Sequence, residues 1–529
     1  MPAMPDIVPT LTSAIEMQET VLRASIPDDR EAALVALVRA QDRLLNGLDL
    51  IQTPPFDPIH GSALINPGGS LAFSLVLQPD PPPVMQPSQG SPRAVAAVLE
   101  AATRAASTES AAALQMNHPI DDRDRWASTF LAACADLAGA RQVRAHLASG
   151  FMRGDVRPDG SLAVWIAQKR FPPAWRERID LASLDARSRR LAGDAPATGM
   201  AWQFGFRPDA IVAGVAARTW TDAVRLLAER HATAPLPDAE ILDTVTTALA
   251  IEPADATAIL SALTLDAANA AWHATVPGIA AAPFVRLGPA MLVPSGFGLR
   301  TQPLLFLARE LRRRDAQGWH NAAHQREIAF RHDLATVFAD KRFVHAPTRI
   351  QLKREGGTLR TDIDAAIFDR KTGTLALFEL KAQDPFSRSP EELDRRRDSL
   401  LAANRQLSGI LDWTTRHKPD EILDRIDHQT AKRFHVQRVL PFVLARTLAH
   451  FNDGPAPDKR AAWGIWPEVL RLHDAGTLDP AGGNPLQTLF TRLQGWPGDP
   501  PIPPDTPPRT LRLGDAVITV SVDRRSPGA

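Results

Sequence analysis

The sequence contains no tyrosine and only one cysteine, Cys134. Without tyrosine, the chain cannot cleave DNA through a phosphotyrosyl intermediate. A single cysteine cannot form an internal disulfide, and it also excludes a zinc site built from several cysteines. We therefore expect Cys134 to be a small buried side chain in a protein of the reducing cytoplasm.

The sequence also lacks an excess of charge. Its 60 basic and 60 acidic residues balance, so any contact with nucleic acid must come from local patches rather than from bulk attraction. No segment approaches about 18 consecutive apolar residues, and the first residues lack the basic and apolar regions of a secretory signal. We therefore expect no membrane association. There is no Gly-x4-Gly-Lys-Ser/Thr phosphate loop either, so any ATP-driven step would require another subunit.

The composition is that of a folded globular protein. Hydrophobic residues make up 44% of the chain and charged residues 23%. At 529 residues the chain is long enough for two to four domains, and we predict an α/β fold class (α+β overall). Changes in periodicity and two proline-rich stretches indicate a mixed α/β segment at 1–77, a linker at 78–93, a mostly helical domain at 94–305, a mixed domain at 306–450, and an extension at 451–529 that ends in a β-hairpin.

The most informative stretch is a predicted β-hairpin at residues 358–383. Two runs of alternating apolar residues flank Arg370-Lys371-Thr372-Gly373, a pattern typical of two antiparallel strands joined by a tight loop. The simplest register pairs Asp369 with Thr374 as the last residues before the loop. This register fixes which side chains share a face of the sheet.

In that register, Asp364 lies opposite Glu379 and Asp362 lies opposite Lys381. Directly opposed residues share a face, with Cβ atoms about 5 Å apart. We therefore predict that two carboxylates and an ammonium group converge at one end of the hairpin. Such a group suits Mg²⁺, which takes oxygen ligands and commonly binds one or two carboxylates.

The alternative is a surface hairpin that carries a solvated salt bridge. Against it, Glu379 ends an apolar Leu-Ala-Leu-Phe run, where a charge is costly unless it has a partner or a function. The sequence alone leaves both interpretations open.

These residues carry a resemblance to a known family. Asp364, followed by Glu379-Leu380-Lys381 on the next strand, resembles the D…(D/E)-x-K signature of the restriction endonuclease-like, or PD-(D/E)xK, nucleases. No proline precedes Asp362 or Asp364, and we take Asp364 as the family's aspartate because it faces Glu379. The resemblance covers about residues 320–450.

The neighbouring elements follow the order that this family implies, which is helix, three strands, helix and strand. Helical spacing of apolar residues predicts a helix at 321–339, and alternation predicts a strand at 343–352. Ser389-Pro390-Glu391-Glu392 forms a capping box that opens a helix reaching about Trp413. A buried strand follows at 435–446, and Pro441 within it favours an edge or a bulge.

The resemblance implies metal-dependent hydrolysis of phosphodiester bonds, in DNA in preference to RNA. Asp364, Glu379 and the Leu380 carbonyl would hold Mg²⁺, or Mn²⁺ in its place. Lys381 would position or help to deprotonate the attacking water, and Glu327 would complete the site directly or through water.

Further residues are weaker candidates for the same site. By strand alternation, Gln383 points to the face of Glu379 and Lys381, and with Asp362 it is a candidate for indirect contact with the metal. The candidate nucleic-acid contacts are Arg312, Arg313, Arg395, Arg396 and Gln406. For each of these five residues, the alternative is a solvated side chain on the protein surface.

Two other functions stay open. The nuclease-like domain could have lost catalysis and serve as a nucleic-acid-binding or assembly module, or it could act on structured RNA. The N-terminal region would then select a substrate, a partner protein or a second copy of the chain. A role in defence against phage or mobile elements follows by analogy only.

Outside residues 320–450, apolar patterns predict a scattered set of smaller elements. These are helices near 9–25 and 28–47, a strand at 71–77, a strand within LAVWIAQK at 162–169, a hairpin at 283–299, a helix from 303 to about 314, helices at 463–472 and 486–493, and a hairpin at 510–522. The last hairpin is too small to be stable alone, so we expect it to pack on another domain.

Overall fold

The computed structural model describes most of the chain in separate ranges. The described residues are 7–50, 71–78, 122–150, 152–156, 161–166, 205–229, 234–275, 281–300, 303–353, 358–383, 390–446, 449, 457–494, 509–514 and 516–521. The proline-rich stretches at 78–93 and 498–508 lie almost entirely outside these ranges, as does Ser389 of the capping box.

The described residues combine helices and small mixed sheets, which agrees with the predicted α/β class. The helices are α1 (Ile7–Ala24), α2 (Arg30–Leu50), α3 (Asp122–Ala148), α4 (Ala217–Glu229), α5 (Asp238–Leu249), α6 (Pro253–Ala262), α7 (Ala267–Thr275), α8 (Gly296–Arg300), α9 (Pro303–Arg314), α10 (Ala316–His324), α11 (Arg326–Val337), α12 (Pro390–Thr414), α13 (Asp420–Ile426), α14 (His428–Ala431), α15 (Trp466–Asp474) and α16 (Pro485–Gln494). Within the described ranges, no helix has both the length and the hydropathy needed to cross a membrane.

Seventeen strands accompany these helices in the described residues. They are β1 (Met152–Val156), β2 (Leu162–Ile166), β3 (Ile211–Val212), β4 (Val215–Ala216), β5 (Leu236–Pro237), β6 (Thr264–Leu265), β7 (Phe284–Gly288), β8 (Met291–Pro294), β9 (Phe343–His345), β10 (Ile350–Lys353), β11 (Leu359–Ile363), β12 (Ala365–Asp369), β13 (Thr374–Lys381), β14 (Arg438–Ala445), β15 (Ala462–Ile465), β16 (Arg509–Leu513) and β17 (Ala516–Ser521).

The two ends of the chain share one core. The terminal hairpin β16–β17 joins a four-stranded sheet in the order β1-β2-β17-β16, in which β17 runs parallel to β2. Leu511 and Ile518 of the hairpin cluster with Leu11, Leu37 and Phe130 of the N-terminal helices. The expectation that this hairpin packs on another part of the chain is therefore confirmed.

The predicted strand at 71–77 is wrong, because these residues are helical. Leu71, Phe73, Leu75 and Val76 are all buried, and so is Ser74 between them. A short run that is apolar on every side suits a buried helix as well as a buried strand, and periodicity alone does not separate the two.

The region that holds the predicted site is a five-stranded sheet in the order β15-β14-β13-β12-β9. Strand β12 is antiparallel to both of its neighbours, β9 and β13, whereas β13, β14 and β15 run parallel. Helix α12 lies in the chain between β13 and β14 and supplies the crossover that a parallel pair requires.

Both faces of this sheet are covered. Phe378 of β13 clusters with Phe330 of α11 and with residues of α15 and α16 on one face. On the other face, Val443 of β14 clusters with Leu407 of α12. Glu379 alternates with Phe378 along β13, so its side chain points toward the α12 face.

The hairpin register is confirmed from Asp369–Thr374 down to Ala365–Phe378. Beyond Ala365 the chain leaves this sheet. Strand β11 pairs with β10 in a separate two-stranded sheet, where Asp362 lies opposite Gln351. The prediction that Asp362 pairs with Lys381 in the hairpin ladder is therefore wrong.

Two neighbouring predictions fail for local reasons. The predicted helix at 321–339 is two helices, because α10 ends at His324 and α11 begins at Arg326. The predicted strand at 343–352 is also divided, into β9 and β10. Pro347 lies between them, and proline cannot donate to a strand ladder.

The sheet extends one strand further than expected. Residues 463–472 were predicted to be helical, but Ala462–Ile465 forms β15 and the helix α15 starts only at Trp466. Strand β14 is therefore internal rather than an edge. Its ladder with β15 begins at Phe442, just after Pro441, so the proline lies where β14 is not yet paired on that side.

The remaining predicted elements are confirmed. These are the helices near 9–25, 28–47 and 303–314, the helix at 486–493, the helix that ends near Trp413, and, over its described residues 162–166, the strand predicted at 162–169. The hairpin predicted at 283–299 is confirmed as far as Pro294, after which the chain forms helix α8.

The hairpin loop is held by a buried acid. Both carboxylate oxygens of Asp369, whose side chain is fully buried, pair with the guanidinium of Arg342. One of them also accepts the Lys371 N–H at 2.9 Å, and the other accepts the Thr372 hydroxyl. The loop thus surrounds a charge that Arg342 balances.

We expect Asp369→Ala to lower the free energy of unfolding by about 3–5 kcal/mol, because it leaves the buried Arg342 charge unpaired. Urea unfolding followed by circular dichroism measures this change. Asp412→Ala is the matched control, since Asp412 is half exposed in its pair with Arg360 and should contribute at most about 1 kcal/mol. Equal effects of the two substitutions would contradict the assignment.

Candidate active site

The end of the hairpin brings two carboxylates together. The Asp364 N–H donates to the Phe378 carbonyl at 3.1 Å, and its Oδ2 accepts the Leu380 N–H at 2.8 Å. These two bonds hold the Asp364 side chain against β13 beside Glu379. Asp364 is 4% exposed and Glu379 is 1% exposed. The predicted proximity of the two acids to one end of the hairpin therefore agrees with the structure.

Lys381 supplies the positive charge next to them. Its Nζ lies 2.6 Å from Glu379 Oε1, and its side chain is 11% exposed. The other carboxylate oxygen, Glu379 Oε2, is buried and has no hydrogen-bond partner among the described residues. A buried carboxylate oxygen without a partner is costly, which indicates a place for a ligand.

Gln406 of α12 lies inside the site rather than on the surface. Its Oε1 accepts from Lys381 Nζ at 3.1 Å, and its Nε2 lies 3.5 Å from Asp362 Oδ1. Gln406 therefore links Lys381 to Asp362, although these two residues are not paired across a ladder. This contact supports a role in holding the ammonium group, and the predicted contact of Gln406 with nucleic acid stays a prediction.

Glu327 and Arg331 face the same acids from α11. Glu327 lies in the first turn of that helix, and its negative charge raises the pKa of Asp364. The Arg331 Nε–H donates to the main-chain carbonyl of Asp364. Arg331 was not among the predicted residues, although its spacing of four from Glu327 is the signal for a shared helix face.

The strand alternation that places Gln383 on the face of Glu379 does not extend to Gln383. Strand β13 ends at Lys381, and the Gln383 N–H donates to the Lys381 carbonyl at 3.1 Å in a turn. The alternation that would carry Gln383 to the face of Glu379 therefore stops two residues earlier. The Arg446 N–H donates to the same Lys381 carbonyl at 3.0 Å, which fixes the end of β13 against β14.

Burial and mutual repulsion shift the proton affinities of the two acids. Burial and the Glu327 charge raise the pKa of Asp364 to about 6, although the Leu380 N–H and Lys381 oppose the shift. Burial and the Asp364 charge raise the pKa of Glu379 to about 8. Burial lowers the pKa of Lys381, but Glu379 more than offsets this, so its pKa is raised and the ammonium stays protonated.

The donor set fits a small hard cation. Two carboxylates lie close together. The Leu380 N–H donates to Asp364 Oδ2, and the Leu380 carbonyl points to the same side of β13 as that N–H. Within the described residues, no group of three or more histidine, cysteine or acidic side chains is arranged to hold a metal ion. A cation here would therefore rely on two side chains, a main-chain oxygen, and water or substrate.

The other predicted nucleic-acid contacts lie in different settings. Arg313 pairs with the fully buried Glu310, with N–O distances of 2.7 and 2.8 Å, and Arg314 shares the same carboxylate. Arg396 is 6% exposed, whereas Arg395 is exposed on α12 and donates to the Glu391 carbonyl. Arg312 is half-buried on α9.

The chain matches no protein-family model, and no curated protein or solved structure matches it at a significant level. The geometry of the site therefore has to carry the functional assignment.

We expect Asp364→Asn to stabilise the metal-free protein at pH 8 by about 1–3 kcal/mol, because the neutral amide keeps an acceptor for Leu380 and removes a buried charge. The folded-state pKa of Asp364, about 6, lies above its ordinary value of 3.8, so the folded protein loses stability as pH rises between these values. The gain from the substitution should therefore shrink as pH falls below 6.

Urea unfolding in EDTA at pH 8 and pH 5 measures this difference. Asp412→Asn serves as the control, because Asp412 is half exposed and its substitution should give no pH-dependent gain. A loss of stability in Asp364→Asn that is equal at both pH values would show that the buried carboxylate of Asp364 does not destabilise the fold.

Proposed function

We propose that the chain is a metal-dependent nuclease of the restriction endonuclease-like, PD-(D/E)xK type, which hydrolyses phosphodiester bonds in DNA. The order of elements supports the fold: α11, the antiparallel strands β9, β12 and β13, the crossover helix α12, and the parallel strand β14. This is the order that the family resemblance implies. Strand β15 and the small β10–β11 sheet would be additions to it.

The observation that carries the proposal is a pair of carboxylates buried beside one ammonium group. Glu379 Oε1 is 2.6 Å from Lys381 Nζ, whereas Glu379 Oε2 has no hydrogen-bond partner in the described part of the chain. Asp364 adds a second buried carboxylate, and its charge raises the pKa of Glu379. An ion pair that only stabilises the fold would need one acid beside Lys381. The second acid therefore indicates a site that binds a cation when the protein functions.

Asp364, Glu379 and the Leu380 carbonyl would hold Mg²⁺ or Mn²⁺, with Glu327 completing the set directly or through water. When bound, such a cation neutralises charge on the scissile phosphate and lowers the pKa of a bound water. Both acids must be deprotonated to hold it, so binding competes with protons on groups whose pKa values are raised.

Lys381 would orient the attacking water and stabilise negative charge on the pentavalent transition state. In the metal-free chain its pKa is raised by Glu379, so it is a hydrogen-bond donor there. Gln406 accepts from the ammonium group at 3.1 Å and so limits the positions that Nζ can take. The preference for DNA over RNA comes from the family resemblance.

We expect the purified chain to cleave labelled DNA in Mg²⁺ or Mn²⁺, and we expect Glu379→Gln to slow cleavage by about 100-fold or more. The substitution removes a ligand charge while keeping the size of the side chain. Gel analysis of single- and double-stranded DNA and RNA gives the rates and the substrate class. Glu240→Gln, at an exposed position on α5, is the matched control and should leave the rate unchanged.

Each other outcome has a distinct meaning. Cleavage of RNA but not DNA would show a ribonuclease, and binding of nucleic acid without cleavage would show a catalytically inactive binding module. An undiminished rate in Glu379→Gln would mean that the activity comes from a contaminant or from another site, and the proposal would be wrong.

A further inference from the structure

Arg331 is a half-buried cation that does not use all of its donors. Its Nε–H donates to the main-chain carbonyl of Asp364, and its Nη groups have no partner among the residues that the structure describes. Burial also lowers the pKa of Arg331, partly offset by the charges of Asp364 and Glu327. The guanidinium thus lies against the main chain of Asp364 without forming an ion pair with a carboxylate of the described residues.

Arg349 is a second cation at the edge of the site. It precedes β10, its side chain is 60% exposed, and its Nη1 is 3.4 Å from Asp362 Oδ2. Asp362 Oδ1 lies 3.5 Å from Gln406 Nε2, and Gln406 Oε1 accepts from Lys381 Nζ, so these contacts link Arg349 to the site. An exposed ion pair such as Arg349–Asp362 contributes at most about 1 kcal/mol, so Arg349 can exchange Asp362 for another anion at little cost.

The Arg331 Nη groups have donors that no described residue uses, and Arg349 holds a single carboxylate partner. An anion would supply an acceptor for both guanidinium groups. The guanidinium plane matches the oxygens of a phosphate, with which it forms short charge-assisted hydrogen bonds. The Nε bond to Asp364 already restricts that plane, so little further ordering would be required when a phosphate binds.

We propose that Arg331 binds a phosphate of the nucleic-acid strand directly beside the Asp364–Glu379 pair, and that Arg349 binds a neighbouring phosphate. This inference rests on the proposed nuclease function and adds the side of the site from which the substrate strand approaches. The strand reaches the site across the α11 and β10 side, and not across the α9 and α12 arginines that the sequence indicated. Arg331 is then a substrate-contacting residue whose Nε also positions the Asp364 backbone.

Fluorescence anisotropy with labelled single- and double-stranded DNA tests this in the full chain. Binding is measured over a series of salt concentrations in EDTA, and again in Ca²⁺, so that binding is measured separately from activity. We expect Arg331→Gln to raise the dissociation constant about tenfold. We also expect the slope of log affinity against log salt to fall by about 0.7–0.9 in magnitude, the loss of one phosphate contact. Arg349→Gln should give a similar change in slope.

Arg433→Gln is the matched control, since Arg433 is exposed and lies just before β14, at the opposite end of the sheet from Lys381. It makes the same change in net charge and should leave the slope unchanged. Arg331→Lys keeps the charge and should retain the slope while losing part of the affinity. Thermal unfolding verifies that each variant is folded.

The inference is overturned if Arg331→Gln has the slope and affinity of Arg433→Gln, because Arg331 then only supports the Asp364 backbone. That result leaves the proposed function intact if the wild-type chain cleaves DNA. Conversely, a wild-type chain that binds DNA through Arg331 but never cleaves it would support this inference and contradict the nuclease function. Absence of any DNA binding by the wild-type chain would also overturn it.

Discussion

The site depends on one electrostatic constraint, which is that two carboxylates are buried beside a single ammonium group. Glu379 lies 2.6 Å from Lys381, and Asp364 is held next to Glu379 by the Leu380 N–H. Lys381 balances one of the two acids. Arg331 contacts only the main-chain carbonyl of Asp364, so among the described residues no cation forms an ion pair with the second acid, and the pKa values of both acids are raised. Such unrelieved strain is more typical of functional sites than of structural ion pairs.

The surrounding fold keeps these groups in place. Strand β13 pairs with β12 on one side and with β14 on the other, so its backbone is fixed along its whole length. Asp369 and Arg342 hold the loop of the hairpin, and Gln406 of the crossover helix holds Lys381. The acids therefore cannot separate without breaking the sheet or its cover, which is how a fold can maintain a repulsive pair.

Local patterns were sufficient to predict the hairpin and the two acids, because alternation and a short loop fix a register. They failed where contacts with distant parts of the chain determine the local structure. The strand at 343–352 is broken at Pro347, and beyond Asp364 the chain enters a second small sheet, which moves Asp362 away from the ladder. Gln406 and Arg331 come from helices on either side of the sheet, so no spacing within the hairpin could assign their contacts.

Cation binding by Asp364 and Glu379 is the property from which the proposed activity follows. Calorimetric titration of the metal-free chain with Mn²⁺ should show saturable binding whose affinity rises between pH 6 and pH 8, as the two acids lose their protons. The same titration of a variant that combines Asp364→Asn with Glu379→Gln should show no binding at this site. Equal, pH-independent binding by the wild-type chain and the double variant, or no binding by either, would contradict the account.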